Sequence, residues 1–212
     1  MKRDCRFFNI MNIKEIESKF YVRDLARIEE RLRSLNARLV QSRVHERNLR
    51  FDTVGQELRS GLRVLRIRQD ARASITYKGP SENAAGVLSR TEIELTVEGF
   101  NEARALLEAL GFVVQFYYEK YRTTFELDGA FIMLDELPYG TFVEIEGKDA
   151  EDIHRMAEKI GLRWDGILDM GYHMIFERIC KVRGLNLRDL RFEDFMGLEN
   201  CIEDLKIPAA DG

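Results

Sequence analysis

Between Ile13 and Gly147 apolar residues recur mostly at every second position, in short runs broken by Gly, Pro, Asn and Asp. That period belongs to strands with one buried face. It predicts strands over Ile13–Tyr21, Val44–Asp52, Leu62–Gln69, Arg72–Lys78, Arg90–Val97, Val113–Glu119, Lys120–Leu127, Ala130–Leu137 and Thr141–Gly147. QDAR, GPSENAAG, the DG at 128–129 and the PYG at 138–140 are turn chemistry between them. The period changes to helical in three places. Leu25, Ile28, Leu32 and Leu35 share one face of Asp24–Ala37, Ala103, Leu106, Leu107 and Leu110 one face of Asn101–Leu110, and a third helix covers Ala150–Ile160. Gly111 and Gly161 stop the last two. Gly171–Arg183 reads as a further helix, and the tail from Asn186, with Phe192, Phe195 and Met196 among acids, as a helical appendage with a loose end. Such a series of short-turned strands is α+β, and about eight antiparallel strands can close into a barrel with flanking helices.

Composition narrows the function classes. The 212 residues are 45% hydrophobic and 33% charged with a net charge of −4, a globular balance that argues against a broad nucleic-acid-binding surface. No apolar run is long enough for a transmembrane helix, and the start of the chain lacks the apolar core of a signal peptide, so a cytoplasmic protein is expected. Cys5, Cys180 and Cys201, and His45, His154 and His173, are too scattered for a zinc site, a disulfide framework or a histidine-based triad.

The polar faces of the strands carry the chemistry. Residues i and i+2 of a strand point the same way. Glu15/Glu17, Arg66/Arg68, Glu92/Glu94, Lys120/Arg122 and Glu144/Glu146 each repeat one sign at that spacing. Lys19 continues the first pair as E-x-E-x-K, Arg90 precedes the third, and Lys78 shares a face with Ser74 and Thr76. The opposite faces, for example Leu65/Ile67, Ile93/Leu95/Val97 and Val143/Ile145, need covering, for which the helices are available. Two arrangements fit: a sheet with an ordinary solvated face, or a charged interior. The first explains the alternation but not the sorting of signs, since surface sheets mix Lys and Glu to gain cross-strand pairs. Like charges ~7 Å apart repel by about 0.6 kcal/mol in water and about 2.4 kcal/mol at an effective dielectric near 20. Several enclosed pairs would therefore require opposite charges or ligands to offset them. Paired carboxylates suit hard divalent cations and paired Arg and Lys suit phosphate oxygens, so a metal-bound polyphosphate would satisfy both sets.

The E-x-E-x-K at 15–19 resembles the signature of the CYTH superfamily, the triphosphate tunnel metalloenzymes. The resemblance continues in NLRFDT at 48–53 (the family's second-strand "YFDT"), LRIRQD at 65–70, ITYKGP at 75–80, RTEIELTV at 90–97, KYR at 120–122 and LDELPYGTFVEIEG at 134–147. It implies an eight-stranded antiparallel barrel with an open tunnel over residues 11–183, preceded by an extension at 1–10 and followed by a tail at 184–212. It implies Mg²⁺ or Mn²⁺ as cofactor, with Glu15, Glu17 and Glu146 holding one ion and Glu94, Asp135 and Glu144 holding or orienting a second. Lys19, Arg66, Arg68, Lys78 and Arg122 would grip the triphosphate; Lys120 is grouped with them, and Arg90 and Glu92 complete the set.

The TYKGP…SRTEIEL stretch and GFVVQFYYEKYR look most like the CyaB-type branch, which implies a class IV adenylyl cyclase making cyclic AMP and pyrophosphate from ATP. GYHMIFE at 171–177 departs from that branch's S-Y-x-x-L segment by lacking the Ser. A triphosphatase acting on tripolyphosphate, thiamine triphosphate or a nucleotide, and a noncatalytic polyphosphate sensor, are the other readings. Tyr77, Tyr117, Tyr118 and Trp164 could stack on an organic group or serve only packing. A homodimer would use the Phe- and Met-bearing tail.

Overall fold

The structure is a computed structural model and describes residues 13–198 and 201–212. The extension expected at 1–10 lies outside the described residues. Ten strands form one antiparallel sheet: β1 (Ile13–Val22), β2 (Arg38–Asp52), β3 (Val64–Gln69), β4 (Ala73–Lys78), β5 (Glu82–Ala84), β6 (Val87–Val97), β7 (Val113–Leu127), β8 (Ala130–Leu137), β9 (Gly140–Glu146) and β10 (Ile167–Leu168). The helices are α1 (Leu25–Ser34), α2 (Glu57–Ser60), α3 (Phe100–Ala109), α4 (Ala150–Lys159) and α5 (Tyr172–Arg183). Neighbours run β1-β9-β8-β7-β2-β3-β4-β6, and β6 pairs back onto β1 with Glu15 opposite Arg90, which closes the ring. β5 and β10 are short additions at its margin.

Three of the departures from the sequence expectation have local reasons. Val113–Leu127 is one strand rather than two, because its inward face changes from aromatic (Phe116, Tyr118) to basic (Lys120, Arg122) without breaking the alternation. β2 begins at Arg38, well before Val44; register shifts between Leu39 and Gln41 and between Gln41 and Val44 scramble its period. GPSENAAG is not a plain turn: β5 folds back on β6 across Ala85 and Gly86, both at positive φ (52° and 86°), the backbone a two-residue hairpin requires.

The apolar faces point outward and the helices cover them. Phe20, Val22, Phe125, Ile132, Leu134, Val143 and Ile145 are buried against Ile28 and Leu32 of α1 and Ile153 and Met156 of α4. Asp24 and Asp149 begin these two helices as N-caps, accepting from the backbone N–H of Arg27 and Asp152. Ala103 and Leu107 of α3 lie on Leu49, Phe51 and Ile67. The expected cover is incomplete: Ile93 and Leu95 on β6, Leu106 on α3 and Leu110 just after it remain exposed.

One mouth of the ring is filled. Tyr21, Phe116, Tyr118 and Phe142 continue the inward faces of β1, β7 and β9, and they are buried with Ile175, Phe176 and Ile179 of α5 and with Leu190, Phe195 and Ile202. The tail is docked, not loose. Leu190 N–H donates to Tyr117 O (2.9 Å), Ala210 N–H donates to Tyr21 O (2.8 Å), and the Asp211 carboxylate accepts from the N–H groups of Arg23 and Asp24. Phe195 is buried against the barrel, while Met196 is exposed.

Candidate functional site inside the ring

Inverting the usual arrangement, with the apolar faces outside, leaves the interior to the sorted charges. Glu17, Lys19, Lys78, Lys120, Asp135 and Glu144 are all buried, though each is a residue type rarely found so. Compensation comes from three pairing groups.

The first lies where β1 meets β6. Arg90 donates from Nε to Glu15 (2.9 Å) and from Nη2 to Glu17 (2.7 Å), and Lys78 Nζ lies 2.7 Å from both Glu15 and Glu92. Glu146, opposite Glu17 across the β1–β9 ladder, joins this acidic wall. Burial, with Glu15, Glu17 and Glu92 nearby, pushes its carboxyl up to about 7.

The second group centres on Arg122 and Asp135. Asp135 is fully buried and accepts from Arg122 Nε (2.6 Å), Lys120 Nζ (2.8 Å) and Tyr172 Oη (2.8 Å). Glu144 is paired with both Lys19 and Arg122. Burial opposes these charges, but the opposite charges outweigh it: Glu144 is held well below the usual carboxylate range, and Lys19 and Arg122 are held above their ordinary values. Lys19 Nζ also sits 4.2 Å from the centre of the Tyr172 ring.

The third group is smaller and more open. Glu94 accepts from Arg68 (3.1 Å) and from Thr76 Oγ1 (2.9 Å), and Arg66 Nη2 donates to the same threonine oxygen (3.3 Å).

The structure therefore brings the expected first set, Glu15, Glu17 and Glu146, to one wall. It divides the second: Asp135 and Glu144 share Arg122, whereas Glu94 pairs with Arg68 on the β3–β4–β6 side. Among the described residues no three acidic, His or Cys side chains already form a metal-holding cluster; the carboxylates are turned toward Arg90 and Lys78. The donor set nevertheless fits a hard divalent cation. It is all carboxylate oxygen, with Glu146 opposite Glu17 and Glu15 two residues along the same face.

Sequence reasoning missed the inward face of β2. Glu46, Asn48 and Arg50 alternate there, but their chemistries differ, and only same-sign repeats stand out at i and i+2. Glu46 is buried; desolvation notwithstanding, Lys120, Arg122, Arg68 and Arg66 pull its carboxyl down to about 2. Asn48 is fully buried and neither side-chain amide atom has a partner. His173 of α5 stacks on Phe116 (4.0 Å between ring centres) with Arg50 Nη1 3.4 Å from its Nδ1; burial and Arg50 lower it to about 4. Of the four candidate stacking aromatics, Tyr118 reaches the interior, where its hydroxyl meets Arg66 Nη1 at 3.3 Å. Trp164 packs on the outer layer, and Tyr77 and Tyr117 lie on outward registers beside Ile93 and Leu49.

Residues 14–163 match the family model described as the CYTH domain. No curated protein matches the chain. Among solved structures, it is similar to the PH1819 protein of Pyrococcus horikoshii, at 27% identity and a TM-score of 0.62 over 77% of this chain and 99% of that one. A candidate adenylate cyclase of Vibrio parahaemolyticus aligns with a TM-score of 0.69 at 20% identity, over 77% of this chain and 97% of that one. A candidate adenylyl cyclase of Hippeastrum, described as having a dominant triphosphatase activity, aligns with a TM-score of 0.58 at 19% identity, over 77% and 95%. The latter two likenesses concern the fold.

Proposed function

Because this chain belongs to the CYTH domain family, we propose that it is an enzyme that cleaves a triphosphate with the help of a divalent cation, Mg²⁺ or Mn²⁺. The observation that carries this reading is the dense set of charges enclosed by the ring: carboxylates gathered at Glu15, Glu17, Glu92 and Glu146, with Arg90, Lys78 and the bases of the other strands turned toward the same interior. Glu15, Glu17 and Glu146 would hold the cation, which supplies charge neutralisation and activation of the attacking oxygen. Lys19, Lys78, Arg66, Arg68 and Arg122 would bind the non-bridging phosphate oxygens, exchanging carboxylate partners for phosphate. Asp135, already saturated by Lys120, Arg122 and Tyr172, would fix the direction of those two bases.

Two cleavages use one binding mode. In the cyclase reaction the ribose 3′-hydroxyl attacks the α-phosphorus of ATP and pyrophosphate leaves; in hydrolysis, water attacks the terminal phosphorus. Sequence resemblance to the CyaB-type branch favours the first. The second is favoured by the many charged side chains of the interior, which grip phosphates and ask little of the group attached to them. The deciding experiment is incubation of the purified protein with ATP and, separately, tripolyphosphate in Mg²⁺ or Mn²⁺ across pH 7–10, with products separated chromatographically. Cyclic AMP with pyrophosphate establishes the cyclase, orthophosphate without cyclic AMP the triphosphatase, and no turnover of either overturns the cyclase and leaves another organic triphosphate or a binding role. Glu17→Gln is expected to lower turnover at least tenfold at limiting Mg²⁺ while leaving the thermal midpoint within a few degrees. A variant with unchanged Mg²⁺ dependence would remove Glu17 from the ion's ligands.

A further inference from the structure

Most interior bases are matched to a carboxylate: Lys19 to Glu144, Lys78 to Glu15, Arg68 to Glu94, Arg90 to Glu17, and Lys120 and Arg122 to Asp135. Arg50 and Arg66 are different. Neither has a carboxylate within ion-pair distance among the described residues. The hydrogen-bond partners of Arg66 are two hydroxyls, Tyr118 and Thr76, and its Nε has none. Arg50 meets only His173 Nδ1, at 3.4 Å. A guanidinium has no acceptor atom, so the imidazole must be the acceptor and therefore neutral; it supplies no negative charge.

The two arginines stand side by side. Arg50 and Arg66 are opposite one another in the β2–β3 register, and the next inward residue of β2 is Asn48, opposite Arg68 on β3 and opposite Tyr118 on β7. Asn48 is fully buried, and among the described residues neither its amide oxygen nor its amide nitrogen has a partner. Leaving buried donors unpaired costs stability, and the Asn48 amide nitrogen and Arg66 Nε are donors that a ligand bringing acceptors would satisfy. It lies beside the filled mouth, where Phe116, the β7 partner of Arg50, is stacked by His173 of α5. A chain-like anion entering from the opposite end of the ring would present only its own end there. The sequence adds a separate sign. In the segment resembling the family's YFDT, this chain reads Arg50-Phe51-Asp52-Thr53, with a cation where the pattern has a tyrosine.

We propose that Arg50, with Arg66, Asn48 and Tyr118, forms an anion subsite at the filled end of the ring that takes the terminal phosphate of the triphosphate. This rests on the triphosphate reading above and gives it a direction. The phosphate end lies inward under α5, and any organic group faces the other mouth, where Phe131 on the inward register of β8 is 39% exposed. An inorganic polyphosphate and an organic triphosphate share this terminal phosphate, so both would use the subsite.

The test is calorimetric titration of the full chain with tripolyphosphate, and separately with ATP, in Mg²⁺. Wild type is compared with Arg50→Tyr, Arg50→Gln and Arg47→Gln, the last removing an exposed arginine from the same strand. Both Arg50 variants are expected to bind tripolyphosphate at least tenfold more weakly, with Arg47→Gln within twofold of wild type. The thermal midpoint of the ligand-free Arg50 variants should be equal to or above that of wild type, since an unmatched charge is removed. The same loss with ATP shows that an organic triphosphate uses the subsite, and a loss with tripolyphosphate alone confines it to inorganic chains. Wild-type affinity in both Arg50 variants, or an equal loss in Arg47→Gln, overturns the subsite alone. Wild-type protein that binds neither ligand overturns the triphosphate reading and the subsite with it.

Discussion

Asp135→Ala is expected to destabilise the protein by about 3–5 kcal/mol, because it strands two buried cations together. Asp135 is fully buried and accepts hydrogen bonds from Lys120, Arg122 and Tyr172. With the carboxylate gone, Lys120 keeps Glu46 at 3.5 Å and Arg122 keeps Glu144 and a distant Glu46 at 4.0 Å, too little acid for two bases at that depth. Urea unfolding gives the measurement. Adding Lys120→Met to Asp135→Ala should recover part of the loss, because the cation then disappears with its partner. Glu94→Ala makes the contrast. Its side chain is 37% exposed and its pair with Arg68 is screened, so the cost should stay below about 1 kcal/mol. Equal losses at the two positions would mean that the interior is hydrated throughout and that the Asp135 group has no special standing.

Stability of the metal-free protein is also expected to fall as the pH rises through neutrality, on account of Glu146. Its carboxyl is raised to about 7 from an ordinary 4.5 by burial and by Glu15, Glu17 and Glu92. The sign follows from proton uptake. Between those two values the folded protein holds a proton that the unfolded chain has released, so the group favours folding least once the pH passes 7. Thermal or urea unfolding of wild type and Glu146→Gln from pH 5 to 8, without divalent cation, should show a declining difference that tracks this window. Mg²⁺ should restore the wild type above pH 7 and do little for the variant. Identical pH slopes for the two proteins would show that Glu146 does not hold the proton.

What was legible in the sequence is what repeats. The strands with unbroken alternation, β3, β4, β8 and β9, have boundaries close to those expected, because period 2 and flanking turn residues act locally. So do the same-sign pairs, since a charge repeated at i and i+2 tells both the face and the partner chemistry. Less legible was anything decided by contacts between distant segments. Arg50 gains its meaning from a helix more than a hundred residues downstream, through His173. GYHMIFE reads as an ordinary amphipathic helix, and nothing in its pattern says that Ile175, Phe176 and Ile179 will enter a barrel mouth instead of lying along its side. The early half of β2 was hidden by its own bulges.

The closure of the ring has a further consequence, for the order of assembly. β1 is the first strand of the sheet among the described residues, yet its partners β6 and β9 lie far downstream, and α4, which covers its outer face, comes later still. Until those segments are made, Phe20 and Val22 have no permanent shelter, and the charged face beside them cannot collapse upon itself. The adjacent hairpins β3–β4 and β7–β8–β9 can form from local contacts, whereas joining the first strand to both neighbours requires closing loops that span much of the chain. Refolding should therefore be slow and limited by this final stitch. The exposed first strand would be the point at which an incomplete chain sticks to another, and the helper most useful to it would be one that holds an extended N-terminal segment until the last strand arrives.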